Sequence, residues 1–199
     1  EQCQMIHHPD LAAPRPIDVP ILLSALGPKG QGIAAEIADG LMNVAPPDGG
    51  AWDWYVHMVN GTVLDPGEAP TADRVVEAAG PWEALSHHGA WHLAGEEIVP
   101  MLPGGAEWLD RVVADRPEAE RHLSVHEWHC SHVNDRDRPL LASKGSADDP
   151  WSGWVGDDAD IAGRIAASGD AGSTEVLFTP AGPDLERELR SFARAAGLG

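Results

Sequence analysis

The sequence predicts an α/β protein in which short parallel strands alternate with covering helices. Two segments carry this prediction. Near the start, the short apolar run Ile21–Ala25 leads through a glycine-rich loop into a helical apolar stripe, and then into a second run, Leu41–Val44. At the end, Thr174–Thr179, rich in β-branched and aromatic residues, passes through Pro180-Ala181-Gly182-Pro183 into an amphipathic helix. Runs without alternation suit strands covered on both faces. Strands alternating with helices imply a parallel sheet with helices outside it. An open doubly wound sheet and a barrel both satisfy that pattern, and four such units make half a barrel.

The elements follow in order. Residues 1–19 hold Pro9, Pro14 and Pro16 and few periodic apolar positions, so they read as an extended lead-in. With Glu1 rather than Met at its start, the chain is expected to be a fragment of something longer. Order is expected over residues 20–199. After the Ile21–Ala25 strand, Gly27, Pro28 and Gly30 form a loop, and Ile33, Ala34, Ile37 and Ala38 line one face of a helix. Gly40 is expected to close that helix in the left-handed conformation.

Residues 45–122 read as an inserted excursion. Within it, Trp54–Leu64 alternates loosely like a strand, Asp65-Pro66-Gly67 is a turn, and Ala72–Ala94 is helical with a break at Gly80-Pro81. A further short helix is expected over Ala106–Ala114. Leu123–Trp128 reads as a returning barrel strand, followed by the charged loop Asn134–Arg138. Asp157 is placed to cap a helix running to about Ser168. The last helix, Asp184–Ala196, is expected to bury Leu185, Leu189, Phe192 and Ala193.

Composition narrows the function. The chain has 199 residues, 43% of them hydrophobic, enough to bury a core. Its 32 acidic residues against 13 basic ones give a net charge of -19, which repels phosphate backbones and anionic headgroups. Neither nucleic acid nor a membrane surface is expected as a partner. Cys3 and Cys130 are far apart and form no CxxC pair, which fits free thiols in a reducing compartment. No apolar run is long enough to cross a bilayer and no signal-peptide pattern opens the chain, so a cytoplasmic location is expected.

The loop Ser24-Ala25-Leu26-Gly27-Pro28-Lys29-Gly30 joins a buried strand to a helix start. Glycines there let a ligand approach the backbone, and free N–H groups with the positive dipole end suit an anion such as phosphate. Neither GxxxxGK[ST] nor GxGxxG is present, so a plain structural turn is the competing reading. Lys29, one of two lysines in the chain, either adds a charge contact or is simply solvated. Asn43 and Val44 close the next strand; packing competes with a ligand role for Asn43 and is favoured for Val44.

His126-Glu127-Trp128-His129 ends the predicted strand at Leu123–Trp128. Alternation would put His126 and Trp128 on one face, where they could shape a substrate pocket; a packed histidine is the competing reading. No metal-ligand set is expected, because the spacing is not HExxH and His126, His129 and His132 do not share one strand face. His88 and His92 would align on a helix, with His87 beside them, as ordinary polar surface. Trp52, Trp54, Trp82, Trp91 and Trp108 could line a pocket or anchor small cores. No GxSxG elbow occurs, which disfavours serine hydrolysis.

Pro20–Lys29, followed by Ala34-Ala35-Glu36-Ile37-Ala38-Asp39-Gly40-Leu41, resembles the fifth strand, loop and helix of the luciferase-like flavin- or F420-dependent oxidoreductases. Thr174–Phe178, Ala181–Asp184 and Glu188–Ala193 resemble the eighth strand and closing helix of that family, and Gly61–Glu68 resembles one of its actinobacterial branches. The resemblance implies the C-terminal half of a (β/α)8 TIM barrel, with FMN or F420 at the carboxyl ends of the strands. It carries a cofactor-binding role to Ser24, Ala25, Leu26, Gly27 and Lys29, and by position to Asn43. It implies oxidoreductase or monooxygenase chemistry on a small organic substrate, with the catalytic residues left unassigned. Two alternatives stand beside it: a noncatalytic half-barrel that forms a homodimer, and a metal-dependent hydrolase built on the histidines.

Overall fold

A computed structural model describes residues 18–48 and 52–199. The lead-in at 1–17, with Cys3, lies outside the described residues. The described chain is mixed α/β, with a parallel sheet and eight α-helices. Among the described residues, no helix is long and apolar enough to cross a membrane.

Strand β1, Leu22–Ser24, leads into helix α1, Pro28–Ile37, and then into strand β2, Gly40–Asn43. Proline at the first helical position suits α1, because its missing N–H would be unpartnered there. Gly40 does not cap the helix: it is already in β2, and a Cβ on it would lie 2.6 Å from the Trp54 ring. Close packing of Trp54, not a left-handed turn, demands glycine there.

Strand β3, Tyr55–Val59, pairs in parallel with β2 through Leu41↔Tyr55 and Asn43↔His57. It is buried along almost its whole length, so this part of the 45–122 segment is a central strand of the sheet and not an excursion from it. After Asn60 the chain continues as strand β4, Gly61–Val63. Gly61 sits at φ 132°, and a Cβ there would lie 2.2 Å from the Trp154 carbonyl oxygen. Only glycine tolerates both conditions.

Residues 65–153 form a helical insertion with its own core. Helix α2, Asp73–Glu83, and helix α3, Leu85–Ala94, meet at Ala84, three residues beyond Pro81. Helix α4, Gly105–Asp115, supplies Trp108 and Val112, both fully buried against Val75, Val99 and Val125. The predicted strand at Leu123–Trp128 does not exist. Helix α5, Arg121–Val125, ends there, and turns follow to His132, with Trp128 and Cys130 at φ 60° and 57°. The apolar pattern is too short to define a strand: Val125 fills the insertion core, and the Ser124 hydroxyl donates to Asp115. Helix α6, Arg138–Leu141, completes the insertion.

Strand β5, Trp154–Gly156, pairs in parallel with β4 and had no sequence signal. Helix α7, Asp158–Asp170, starts on a capping box made by Asp157 and Asp160, and strand β6, Glu175–Phe178, then pairs in parallel with β3. Helix α8, Leu185–Ala195, closes the chain. The four-stranded sheet runs β1-β2-β3-β6, with β1 and β6 as its edges.

Helix α8 is rotated from the face the sequence predicts. It buries Glu188, Ser191 and Ala195, while Leu185 and Leu189 are about half exposed at 48% and 51%. Phe192 does reach the core, stacked on Phe178 at 4.1 Å between ring centroids. The cause is polar. Glu188 accepts from Thr62 and from both Arg74 and Arg187, and Arg187 also bonds Asp65. Turning Glu188 inward to this network turns the two leucines out.

Candidate functional site

All four main-sheet strands are parallel, so their carboxyl ends, and the loops after them, lie on one side. The loop after β1 is braced from β2. Asn43 Nδ2 donates to the Ala25 carbonyl at 2.9 Å, and its Oδ1 accepts from the Ala45 amide at 3.1 Å. The Asn43 amide is buried by this bridge, so it orders the loop from beneath. Ala25 is also buried, packed with Ala34, Leu41 and Tyr55. Ser24, Leu26, Gly27 and Lys29 are exposed. The structure therefore divides the six predicted cofactor residues into four that face solvent and two that hold the loop's shape.

Gly27 is the N-cap of α1, with no side-chain cap bond and no acidic residue in the first turn. The first-turn N–H groups and the helix dipole favour an anion at this point. A Cβ at Gly27 would touch nothing within 4 Å, so the space in front of the helix is open. Gly30 lies close beneath, and a Cβ there would come within 3.1 Å of the Ala25 Cβ. Val44, favoured for packing, is half exposed, but its carbonyl lies 3.2 Å from His57 Nε2.

His57, which sequence reasoning missed, is buried in β3. Its Nε2–H faces the Val44 carbonyl, leaving Nδ1 to accept from the Ser168 hydroxyl at 2.8 Å. Burial lowers its pKa, and the Val44 carbonyl only partly offsets this. A histidine inside a β-branched and aromatic run carries no positional signal of its own, so only the fold reveals the tie it makes between β2, β3 and α7.

The second concentration of chemistry lies in the insertion. His88, on α3, is 1% exposed and stacks on Trp108 at 5.7 Å. Its Nε2 lies 3.2 Å from Asp137 Oδ1, and its Nδ1 lies 2.9 Å from His129 Nδ1. Trp108 Nε1 donates to the same Asp137 oxygen at 2.8 Å. His126 caps α5 and packs edge-on to His129 and to His92, at 5.1 and 5.9 Å. One nitrogen each from His88, His126 and His129 falls within a span of 4.8 Å. Burial, then the neighbouring imidazoles, lower the pKa of both His126 and His129. Neutral imidazoles with converging lone pairs are competent metal ligands.

This set escaped the sequence because it joins α3 to a turn 41 positions further on. His88 is buried, as is His87, whose Nε2 faces the Pro103 carbonyl at 2.9 Å; neither is the polar surface the sequence predicts. His126 and Trp128 do not share a strand face. His126 turns to the other histidines, while Trp128 is 59% exposed, packs against His132 and lines an open groove with Asn134 and Arg136. Trp108 and Trp151 anchor the insertion core. Cys130 is a free thiol. The turn also reaches the strand ends: the Gly182 amide, in the loop after β6, donates to the Ser131 carbonyl at 2.7 Å.

No protein-family model matches the chain, and no curated protein matches it.

Proposed function

We propose that the chain is the C-terminal half of a (β/α)8 barrel of the luciferase-like class. In this reading it binds FMN or F420 and serves oxidoreductase or monooxygenase chemistry on a small organic substrate. The observation that carries the reading is the uncapped start of α1, at the carboxyl edge of a parallel sheet, with Asn43 bracing the loop. The N–H groups there receive the phosphate-bearing tail, and Lys29 sits beside it with its charge. Ser24 and Leu26 flank the tail, and Ala25 and Asn43 keep the loop in register. The bound cofactor supplies the hydride and oxygen chemistry. The insertion, leaning on the loop after β6, contributes a wall that limits water at the strand ends.

The half-barrel part of the proposal rests on the two sheet edges. On α1, which follows the edge strand β1 in the chain, Ile33 and Ile37 are 47% and 58% exposed; on α8, which follows the edge strand β6, Leu185 and Leu189 are equally bare. Helices at the ends of an incomplete barrel keep apolar side chains that the missing neighbours would cover. The same observation favours a second reading, a noncatalytic half-barrel that pairs with another copy through these edges. A net charge of -19 argues against nucleic acid and anionic membranes as partners, and the free Cys130 fits a reducing cytoplasmic compartment.

Titration with FMN, F420 and riboflavin tests the proposal. A phosphate-directed site binds FMN or F420 and discriminates against riboflavin, which lacks the phosphate. Failure of all three to bind, with a dimer on size-exclusion chromatography, supports the second reading instead.

A further inference from the structure

We propose that His88, His126 and His129 bind a divalent transition-metal ion of the zinc class, clipping α3 to the turn at residues 126–132. This inference is independent of the cofactor proposal above.

Three features of the cluster carry it. The first is convergence: the three donor nitrogens lie within 4.8 Å of one another. Zinc–nitrogen bonds of about 2.0 to 2.1 Å place tetrahedral ligand atoms roughly 3.3 Å apart, so adjustments of the exposed His126 and His129 rings complete the set. The second is the outer support. The Asp137 carboxylate accepts from His88 Nε2, which fixes the tautomer and turns the lone pair of Nδ1 toward His129. Asp137 is held in turn by the indole N–H of the fully buried Trp108. A carboxylate behind a ligating imidazole is the arrangement that orients histidine ligands and raises their basicity.

The third feature is the backbone. Trp128 and Cys130 both adopt positive φ, at 60° and 57°, within three residues of each other. Non-glycine residues are rarely held this way without compensation from their surroundings. Metal bonds to His126 and His129, on either side of Trp128, would supply it. His88 forms the floor of the cluster while His126 and His129 are exposed, so the ion has an entry path and a fourth position open to water. An all-imidazole set selects zinc, copper, nickel or cobalt over calcium and magnesium. Because the Ser131 carbonyl accepts from Gly182, a clipped turn also fixes the insertion against the loop after β6.

The test is a zinc titration of the chelator-stripped full chain against a chromophoric competitor, with circular dichroism as a folding control. Wild type is expected to bind one zinc ion per chain with a Kd below about one micromolar and to melt at a higher temperature when loaded. His126→Ala and His129→Ala, at exposed positions, should each weaken binding by about a hundredfold or more while keeping the fold. Asp137→Asn, which retains the acceptor but not the charge, should weaken it by about tenfold. His132→Ala, on the same turn but outside the set, should leave it unchanged. A wild-type Kd above about ten micromolar overturns the proposal. So does wild-type affinity in both His126→Ala and His129→Ala.

Discussion

Glu188 is the residue on which the packing of α8 turns. Its side chain is 3% exposed and accepts from Thr62 and from Arg74 and Arg187, two arginines whose side chains are themselves mostly covered, at 29% and 20% exposure. Removing the carboxylate leaves Arg74 with Glu68 alone and Arg187 with Asp65 alone, and takes away the acceptor the two partly buried cations share, which costs more than the net worth of the lost pairs. Glu188→Ala should lower unfolding free energy by about 2 to 4 kcal/mol in urea titrations. A loss below about 0.5 kcal/mol would mean that solvent screens the cluster. Single residues were the least legible level of the sequence. Gly40 was read as a helix cap and Gly61 had no reading of its own; the reason each is glycine lies in Trp54 and in the Trp154 backbone, which approach only in the fold. Asn43 was singled out for its position, and its role as a brace depends on where the Ala25 carbonyl falls.

At the level of elements, local chemistry was readable wherever it is local in cause. The Asp157 cap is one case: its carboxylate accepts from the amides of Ala159 and Asp160, and Asp160 reaches back to the Asp157 amide. Asp157→Ala should cost about 1 kcal/mol, read as a shift in urea midpoint at unchanged slope. No change would show that Asp160 alone satisfies the helix start. Strands β1, β2 and β6 and helices α1, α7 and α8 were likewise legible from apolar runs, turn residues and caps. The failures came where tertiary burial overrides a short pattern. Leu123–Trp128 alternates like a strand, yet Val125 is claimed by the insertion core and the segment turns. β5 is three residues long and is defined only by pairing with β4. The face of α8 was misjudged because a buried glutamate outranked two leucines.

The whole molecule responds to pH through groups whose shifts have one sign on the acid side. Burial lowers the pKa of His57 and His87, so each stabilises the fold fully above the ordinary imidazole value of about 6.5 and less as pH falls below it. Hydrogen bonding from Arg74 lowers Glu68. Burial alone would raise Glu83, but bonds from Lys144 and Ser152 outweigh it and lower that pKa too. These carboxylates contribute fully above the ordinary value of about 4.3, and their contribution is lost at lower pH. Burial would lower Lys144, yet its bonds to Asp149 and Glu83 raise it, so its contribution holds below about pH 10 and fades in stronger base. Tm should therefore be flat from about pH 7.5 to 9 and begin to fall between about pH 6.5 and 5.5, before the carboxylates titrate. A Tm unchanged down to about pH 5 would contradict the histidine contribution.

At this scale the α/β class and the parallel run of the strands were legible because each βα unit repeats the same signal, but the strand order was not, since β3 lay within the expected excursion and the strand expected at Leu123–Trp128 is a helix end and turns. The histidine cluster was not, because its members belong to different elements of the insertion. The central claim concerns the start of α1, and Gly27→Asp tests it most directly. Aspartate is a better N-cap than glycine and meets no neighbour at this position, so the variant should fold with equal or slightly higher stability. Its carboxylate would occupy the place of the cofactor phosphate. In fluorescence titrations with FMN and F420, the account predicts one-to-one binding of at least one of them by wild type. It also predicts an affinity about tenfold or more weaker for the folded Gly27→Asp variant. Equal affinity in the two proteins, or no binding by wild type, would contradict it.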